Sequence, residues 1–107
     1  MVVDFETVKR LVENYASDVR NVFPVDRVVL FGSHAKGTAT EQSDIDVCFF
    51  LDSFGDKRRV DILIELLGLM HKYKKVHFEP IVFLTDEIQN DNPFVKEILR
   101  TGIEVDF

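Results

Sequence analysis

Two apolar runs, Val25 to Phe31 (VDRVVLF) and Ile45 to Leu51 (IDVCFFL), stand on either side of a polar stretch that opens on glycine, Gly32 to Ser43 (GSHAKGTATEQS). Both runs read as strands, the second being rich in β-branched and aromatic residues. The stretch between them is a loop with room for one helical turn. Upstream, Phe5, Val8, Val12, Tyr15, Val19 and Val22 recur at three- and four-residue spacing. That is one face of an amphipathic helix running from an N-cap at Asp4 to about Val22, with Pro24 ending it. Downstream, the pattern predicts a helix from Asp56 to about Lys75 and a third strand from Val76 to Leu84. A short helix over Asp86 to Gln89 follows, capped by Thr85. A further helix covers Pro93 to Arg100, with proline at its first position and Gly102 just beyond its end. Ile103 to Phe107 completes the pattern as a short strand. The order α-β-β-α-β-α-β is an α/β fold, a small β-sheet flanked by helices. The strand between the loop and the second helix need not run parallel to its neighbours, so the sheet is expected to be mixed.

At 107 residues the whole of 1–107 is expected to form a single domain, and 46% hydrophobic with 30% charged residues suits a globule. The longest apolar runs are too short or too interrupted to span a bilayer. Met1-Val2-Val3-Asp4 is followed at once by charged residues, so no signal peptide is expected and the protein is read as cytoplasmic. The single cysteine, Cys48, leaves no intramolecular disulfide or multi-Cys zinc site and sits mid-strand as a core residue. Thirteen Lys and Arg against 19 Asp and Glu give a net charge of −6. A protein that grips a long phosphate backbone carries a basic face, so direct nucleic-acid binding is not expected. A nucleotide is still allowed, because backbone N–H groups and metal ions can hold its phosphates.

The second predicted helix is apolar on two sides. Val60, Leu63, Ile64, Leu67 and Met70 cluster on one, and Ile62, Leu66, Leu69 and Tyr73 lie roughly opposite. One stripe suffices to lie on a sheet. The second is covered by a neighbouring helix or forms a protein interface. The Lys72-Tyr73-Lys74-Lys75 run reads as the solvated cationic end of that helix.

The chemistry concentrates in Gly32-Ser33, ten residues, then Asp44-Ile45-Asp46. Gly32 allows a tight turn at a strand end, and Ser33 presents a hydroxyl and an N–H where an anion can be held. Strand periodicity puts Asp44 and Asp46 on one face, with Ile45, Val47 and Phe49 on the other. Two carboxylates so placed repel unless a cation lies between them, and hard oxygens suit Mg²⁺. A phosphate-binding loop opposite such a pair fits metal-assisted phosphoryl or nucleotidyl transfer. Glu79 is the candidate third ligand. It sits inside the apolar third strand on the face of His77, Ile81 and Phe83, where an unpaired carboxylate would be costly. His71 and His77 form no metal-ligand spacing with each other or with His34, although His77 shares the face of Glu79.

This GS-x10-DxD pattern resembles the signature of the DNA polymerase β-like nucleotidyltransferases. GSHAKGTATEQSDIDVCFF is most similar to the minimal nucleotidyltransferases (MNT), and FEPIVFLTDEI…NPFVKEILRTGIEV resembles that group's C-terminal half. The resemblance implies a mixed sheet with helices and catalysis with two Mg²⁺ ions. It implies that Asp44 and Asp46 bind both metals and the triphosphate, that Glu79 ligates the metal activating the attacking hydroxyl, and that Gly32 and Ser33 hold the β- and γ-phosphates. Lys36 is a candidate phosphate contact, with a solvated loop lysine as the alternative. Two positions depart from the pattern. His34 stands where the group often has Arg, which weakens a cationic phosphate contact or makes it pH-dependent. Pro80, directly after Glu79, removes a strand donor and points to an edge strand or a bulge.

MNT proteins are commonly paired with a HEPN-domain ribonuclease in toxin–antitoxin modules, and some transfer AMP from ATP to the toxin. The resemblance therefore implies an Mg²⁺-dependent nucleotidyltransferase using ATP, with a HEPN toxin as partner and acceptor and an antitoxin role. A chain this short is expected to take its acceptor-binding surface from another protein or from a second copy of itself. The alternatives are an inactive module that neutralises its partner by binding alone, and nucleotidyl transfer to a small cationic molecule such as an aminoglycoside. RNA tailing is the reading the acidic charge favours least.

Overall fold

A computed structural model describes residues 4–107. The expectation drawn from 1–3, that no signal peptide leads the chain, lies outside the described residues. The elements are α1 (Phe5–Arg20), β1 (Val25–Phe31), the single turn α2 (Ser33–Lys36), β2 (Ile45–Leu51), α3 (Arg59–Leu69), β3 (Phe78–Leu84), α4 (Pro93–Thr101) and β4 (Ile103–Glu104). Short 3-10 turns at Met70–Lys72 and Thr85–Gln89 follow α3 and β3. The four strands form one sheet in the order β3-β2-β1-β4. β1 is antiparallel to β2 and to β4, and β2 is parallel to β3, so the sheet is mixed as expected.

Both faces of the sheet are covered at its centre, which explains why β2 is apolar almost throughout. On one face Val8, Val12, Tyr15 and Val19 of α1 and Ile62 and Leu66 of α3 pack on Val28, Leu30, Ile45, Val47, Phe49 and Leu51. The Tyr15 hydroxyl crosses this layer to donate to the Leu66 carbonyl at 2.6 Å. Val95 and Ile98 of α4 cover Val29, Cys48 and Phe50 on the other. Alternation along β2 therefore places Asp46 on the α4 face. Burial pushes the Cys48 thiol up to about 12, as an inert core residue requires.

Several element boundaries differ from the sequence pattern. α1 stops at Arg20, one turn before Pro24. Asp4 is its N-cap by position, but its carboxylate accepts from the Thr7 hydroxyl rather than from the helix backbone. α3 is eleven residues long, not the whole of Asp56 to Lys75. The Asp61 carboxylate sets its start by accepting from the Arg58 N–H at 2.9 Å and from the Arg58 guanidinium, and the chain tightens into a 3-10 turn at Met70. β3 begins at Phe78 rather than Val76, and β4 pairs over only two residues. Thr85 is the first residue of its 3-10 turn, and Glu87 supplies the cap by accepting from the Leu84 N–H. The second apolar stripe of α3 divides, with Leu63 and Met70 packed against the core and Val60, Ile64 and Leu67 exposed. Among the described residues no helix is long and apolar enough to cross a membrane.

Candidate active site

The site grows out of strand register. Phe31 at the end of β1 is the partner of Asp46, and Asp46 is in turn the partner of Glu79 on β3. Directly paired residues on neighbouring strands present their side chains to the same face, about 5 Å apart. A row Phe31–Asp46–Glu79 thus crosses the sheet at the end where β1 finishes and β2 and β3 begin. Asp44 lies one step outside β2 on the same side, with His77 Nδ1 at 3.8 Å from its carboxylate.

Gly32 is built into this row. Its φ of 73° is left-handed, and a Cβ there would collide with Oδ2 of Asp46. The glycine therefore does more than turn the chain, because its missing side chain leaves the space the Asp46 carboxylate occupies. Ser33 then opens α2, which places the Gly32-Ser33 backbone against the carboxylate row.

The electrostatics of Asp46 reflect this crowding. Burial first, then the negative charges of Glu79 and Asp44, push its carboxyl up to about 6, and only His34 acts in the opposite direction. Glu79 itself is exposed. The expectation that it is sunk in an apolar strand is corrected, because β3 is the edge of the sheet and α4 does not reach over its first residues. Pro80 fits the same picture. β3 is an edge strand, and its register with β2 runs unbroken from Phe78 to Leu84, so the bulge is not needed. The irregularity in the sheet lies instead between Val25 and Arg27 of β1.

The structure brings Asp44, Asp46, Glu79, Gly32 and Ser33 to one end of the sheet. It does not bring Lys36 to the carboxylates. That side chain is exposed at the far end of α2. His34 is buried, and its Nε2 lies 3.4 Å from the Ser43 carbonyl, so it braces the loop ahead of Asp44 rather than reaching into solvent. Lys74 and Lys75 are exposed, as expected, but they do not end a helix. Past the 3-10 turn they line a cleft of about 370 Å³ with His77, facing Glu41, Gln42, Ser43 and Asp44. Reading the lysine run as a helix terminus hides this, since the turn that redirects it depends on where α3 stops. Lys72, by contrast, pairs with Asp18 at 2.9 Å.

Among the described residues no three His, Cys, Asp or Glu side chains are gathered closely enough to hold a metal ion as they stand. The donor set nevertheless fits a hard divalent cation. Asp44, Asp46 and Glu79 offer only carboxylate oxygens, and the repulsion that raises Asp46 is the kind a cation relieves.

Comparison with known proteins shows what the chain as a whole is similar to. The nucleotidyltransferase domain family matches residues 12–106. A Methanocaldococcus jannaschii protein named "Putative protein adenylyltransferase MJ0141" is 24% identical over 97 residues, covering 89% of this chain and 95% of its own. The crystal structure of a "putative nucleotidyltransferase from Sulfolobus solfataricus" superposes with a TM-score of 0.69 at 20% identity, over 94% of this chain and 80% of that one. A structure described as "the toxin-antitoxin with AMP-PNP" superposes with a TM-score of 0.60 at 18% identity, over 86% of this chain and 70% of that one.

Proposed function

Since the chain belongs to the nucleotidyltransferase domain family, we propose that it moves a nucleoside monophosphate, AMP from ATP, onto a hydroxyl of a partner protein. The observation that carries this reading is the row in which Asp46 stands between Gly32 and Glu79, with Asp44 beside it. Gly32 and Ser33 hold the β- and γ-phosphates by backbone N–H groups and the Ser33 hydroxyl. Asp44 and Asp46 would hold two Mg²⁺ ions, with Glu79 as the third carboxylate. When bound, Mg²⁺ would offset the phosphate charge and make the acceptor hydroxyl easier to deprotonate. Glu79, exposed at the sheet edge, meets the acceptor as it arrives and orients its hydroxyl. The acceptor hydroxyl gives up its proton to solvent as its oxygen bonds to the α-phosphorus, the bond from that phosphorus to the bridging oxygen breaks, and pyrophosphate leaves.

The partner is proposed to be the HEPN-domain toxin of a toxin–antitoxin pair, with this chain as antitoxin in the cytoplasm. The relative named as a protein adenylyltransferase supports a protein acceptor, and the toxin–antitoxin structural neighbour supports the pairing. The exposed apolar residues Val60, Ile64 and Leu67 on α3 suit docking of such a protein. The test is transfer of label from α-phosphate-labelled ATP, with Mg²⁺, to the product of the neighbouring gene. Wild type is expected to label it, and Asp44→Asn is expected to fall at least ~100-fold while remaining folded, as loss of a metal ligand requires. A stable complex without label would instead favour neutralisation by binding alone, and label transferred by Asp44→Asn at the wild-type rate would remove that residue from the mechanism.

A further inference from the structure

The face of the sheet that carries the carboxylate row also carries a set of phenylalanines that the transfer reaction leaves unused. Phe94, at the start of α4, is an exception in this core. It is 51% exposed, whereas Phe50 on the same face is fully buried. Its position is fixed from below. The Asn92 side chain accepts from the Phe94 N–H at 2.9 Å as it caps α4. The Phe31 ring meets it edge-on with centroids 6.2 Å apart and planes at 86°. Phe83 meets it from the other side, also at 6.2 Å and at 63°.

Phe31 is the member of the carboxylate row next to Asp46. The exposed ring of Phe94 therefore stands one supporting ring away from the carboxylates, on the sheet side of the site. The opposite side is different in kind. Beyond Asp44 and the β3 edge lies the open, charged cleft lined by Lys74, Lys75 and His77. An acceptor carried on a protein needs the open edge, where Glu79 is exposed. A nucleoside tethered to the α-phosphate is small enough for the other side, and its base has an apolar face to cover.

We infer that Phe94 is the stacking surface for the nucleobase of the bound nucleoside triphosphate. This deepens the proposed nucleotidyl transfer and rests on it. The Phe31 and Phe83 rings hold Phe94 in a fixed orientation, so little side-chain freedom is lost when a flat ligand settles on it. The exposed ring is sequence-tolerant by nature, because any base has a π-face, and it adds affinity rather than chemistry.

The chain contains no tryptophan, so Phe94→Trp introduces a sole indole at the proposed contact. In Mg²⁺ buffer, ATP is expected to quench its fluorescence, and inorganic tripolyphosphate, which has no base, is expected to bind without quenching. Phe94→Ala is expected to bind ATP about tenfold more weakly, the size of loss typical when a ring beneath a base is removed. Its affinity for tripolyphosphate should stay at the wild-type value. Phe94→Leu, which keeps the apolar bulk against Phe31 and Phe83, should show the same selective loss and guards against misfolding of the alanine variant. Wild-type ATP affinity in both variants would overturn the stacking role, and so would an equal loss of ATP and tripolyphosphate, which marks a structural defect. A wild-type protein that binds neither ligand would overturn the nucleotidyltransferase reading itself, and a protein that binds both while the Phe94 variants behave as wild type would overturn the stacking role alone.

Discussion

Replacing Asp46 by asparagine should remove activity and, at the same time, make the metal-free protein more stable. In the fold this carboxyl is held at about 6 by burial and by the charges of Glu79 and Asp44, against about 4 for an ordinary aspartate. Between about pH 4 and pH 6 the folded protein therefore holds a proton that the unfolded chain has released. Stability tied to Asp46 is complete below about pH 4 and declines as the pH rises to about 6, after which it stays low. The full difference corresponds to a ceiling of about 3 kcal/mol, and partial exposure of the site screens it to about 1–2 kcal/mol. The amide introduced by Asp46→Asn would carry no charge at any pH and would keep the shape that fits against Gly32. Thermal unfolding in EDTA should therefore show equal melting temperatures at about pH 4 and a gap of about 5–10 °C in favour of Asp46→Asn at about pH 7.5. Added Mg²⁺ should raise the wild-type Tm and leave the variant where it was, closing the gap. A variant that melts at or below wild type in EDTA at the higher pH would refute the crowding argument, whatever its activity.

Other outcomes follow from single contacts. Gly32→Ala must bear both a left-handed φ and a collision with Asp46, so it should lose about 1–3 kcal/mol of stability by urea unfolding and nearly all transfer; retained transfer would mean that the close approach is not needed. Tyr15→Phe leaves the Leu66 carbonyl without its buried donor and should lower stability by about 1–2 kcal/mol in the same assay, while the transfer rate stays at the wild-type value. Ile64→Asn on the exposed face of α3 should change stability by no more than about 0.5 kcal/mol, yet weaken the complex with the proposed partner about tenfold or more by calorimetry. Unchanged affinity would move the partner to another face.

The strand-level part of the site is legible because it depends on short-range periodicity. Alternation in IDVCFF separates Ile45, Val47 and Phe49 from Asp46 and Cys48, and the structure divides the apolar members between the two cores in that way. What periodicity cannot supply is pairing. Glu79 can be matched to Asp46 only once β3 is known to run parallel to β2 in that register, and its exposure follows only once β3 is known to be the edge. Helix ends are hard to place for a related reason. The Arg58–Asp61 cap and the 3-10 turn at Met70 decide the length of α3, and its run of apolar residues continues past the turn. That one difference in length takes Lys74 and Lys75 off a helix tip and into the cleft beside Asp44.

The crowding of Asp46 also bears on why the site sits at this end of the sheet. Central strands are buried on both faces, so a charged side chain is tolerated only where cover gives out. On the α4 face the cover over β2 includes Cys48 and Phe50 and ends before Asp46. Gly32 removes the one Cβ that would otherwise fill the gap, and β3, as the edge strand, leaves Glu79 open to solvent. The fold thus concentrates negative charge at a point that is half-buried, where screening by water is incomplete and a cation or a developing charge is felt strongly. The stability forgone at Asp46 is small beside the two cores that flank the sheet, so this end can remain strained while the rest of the molecule holds it in place.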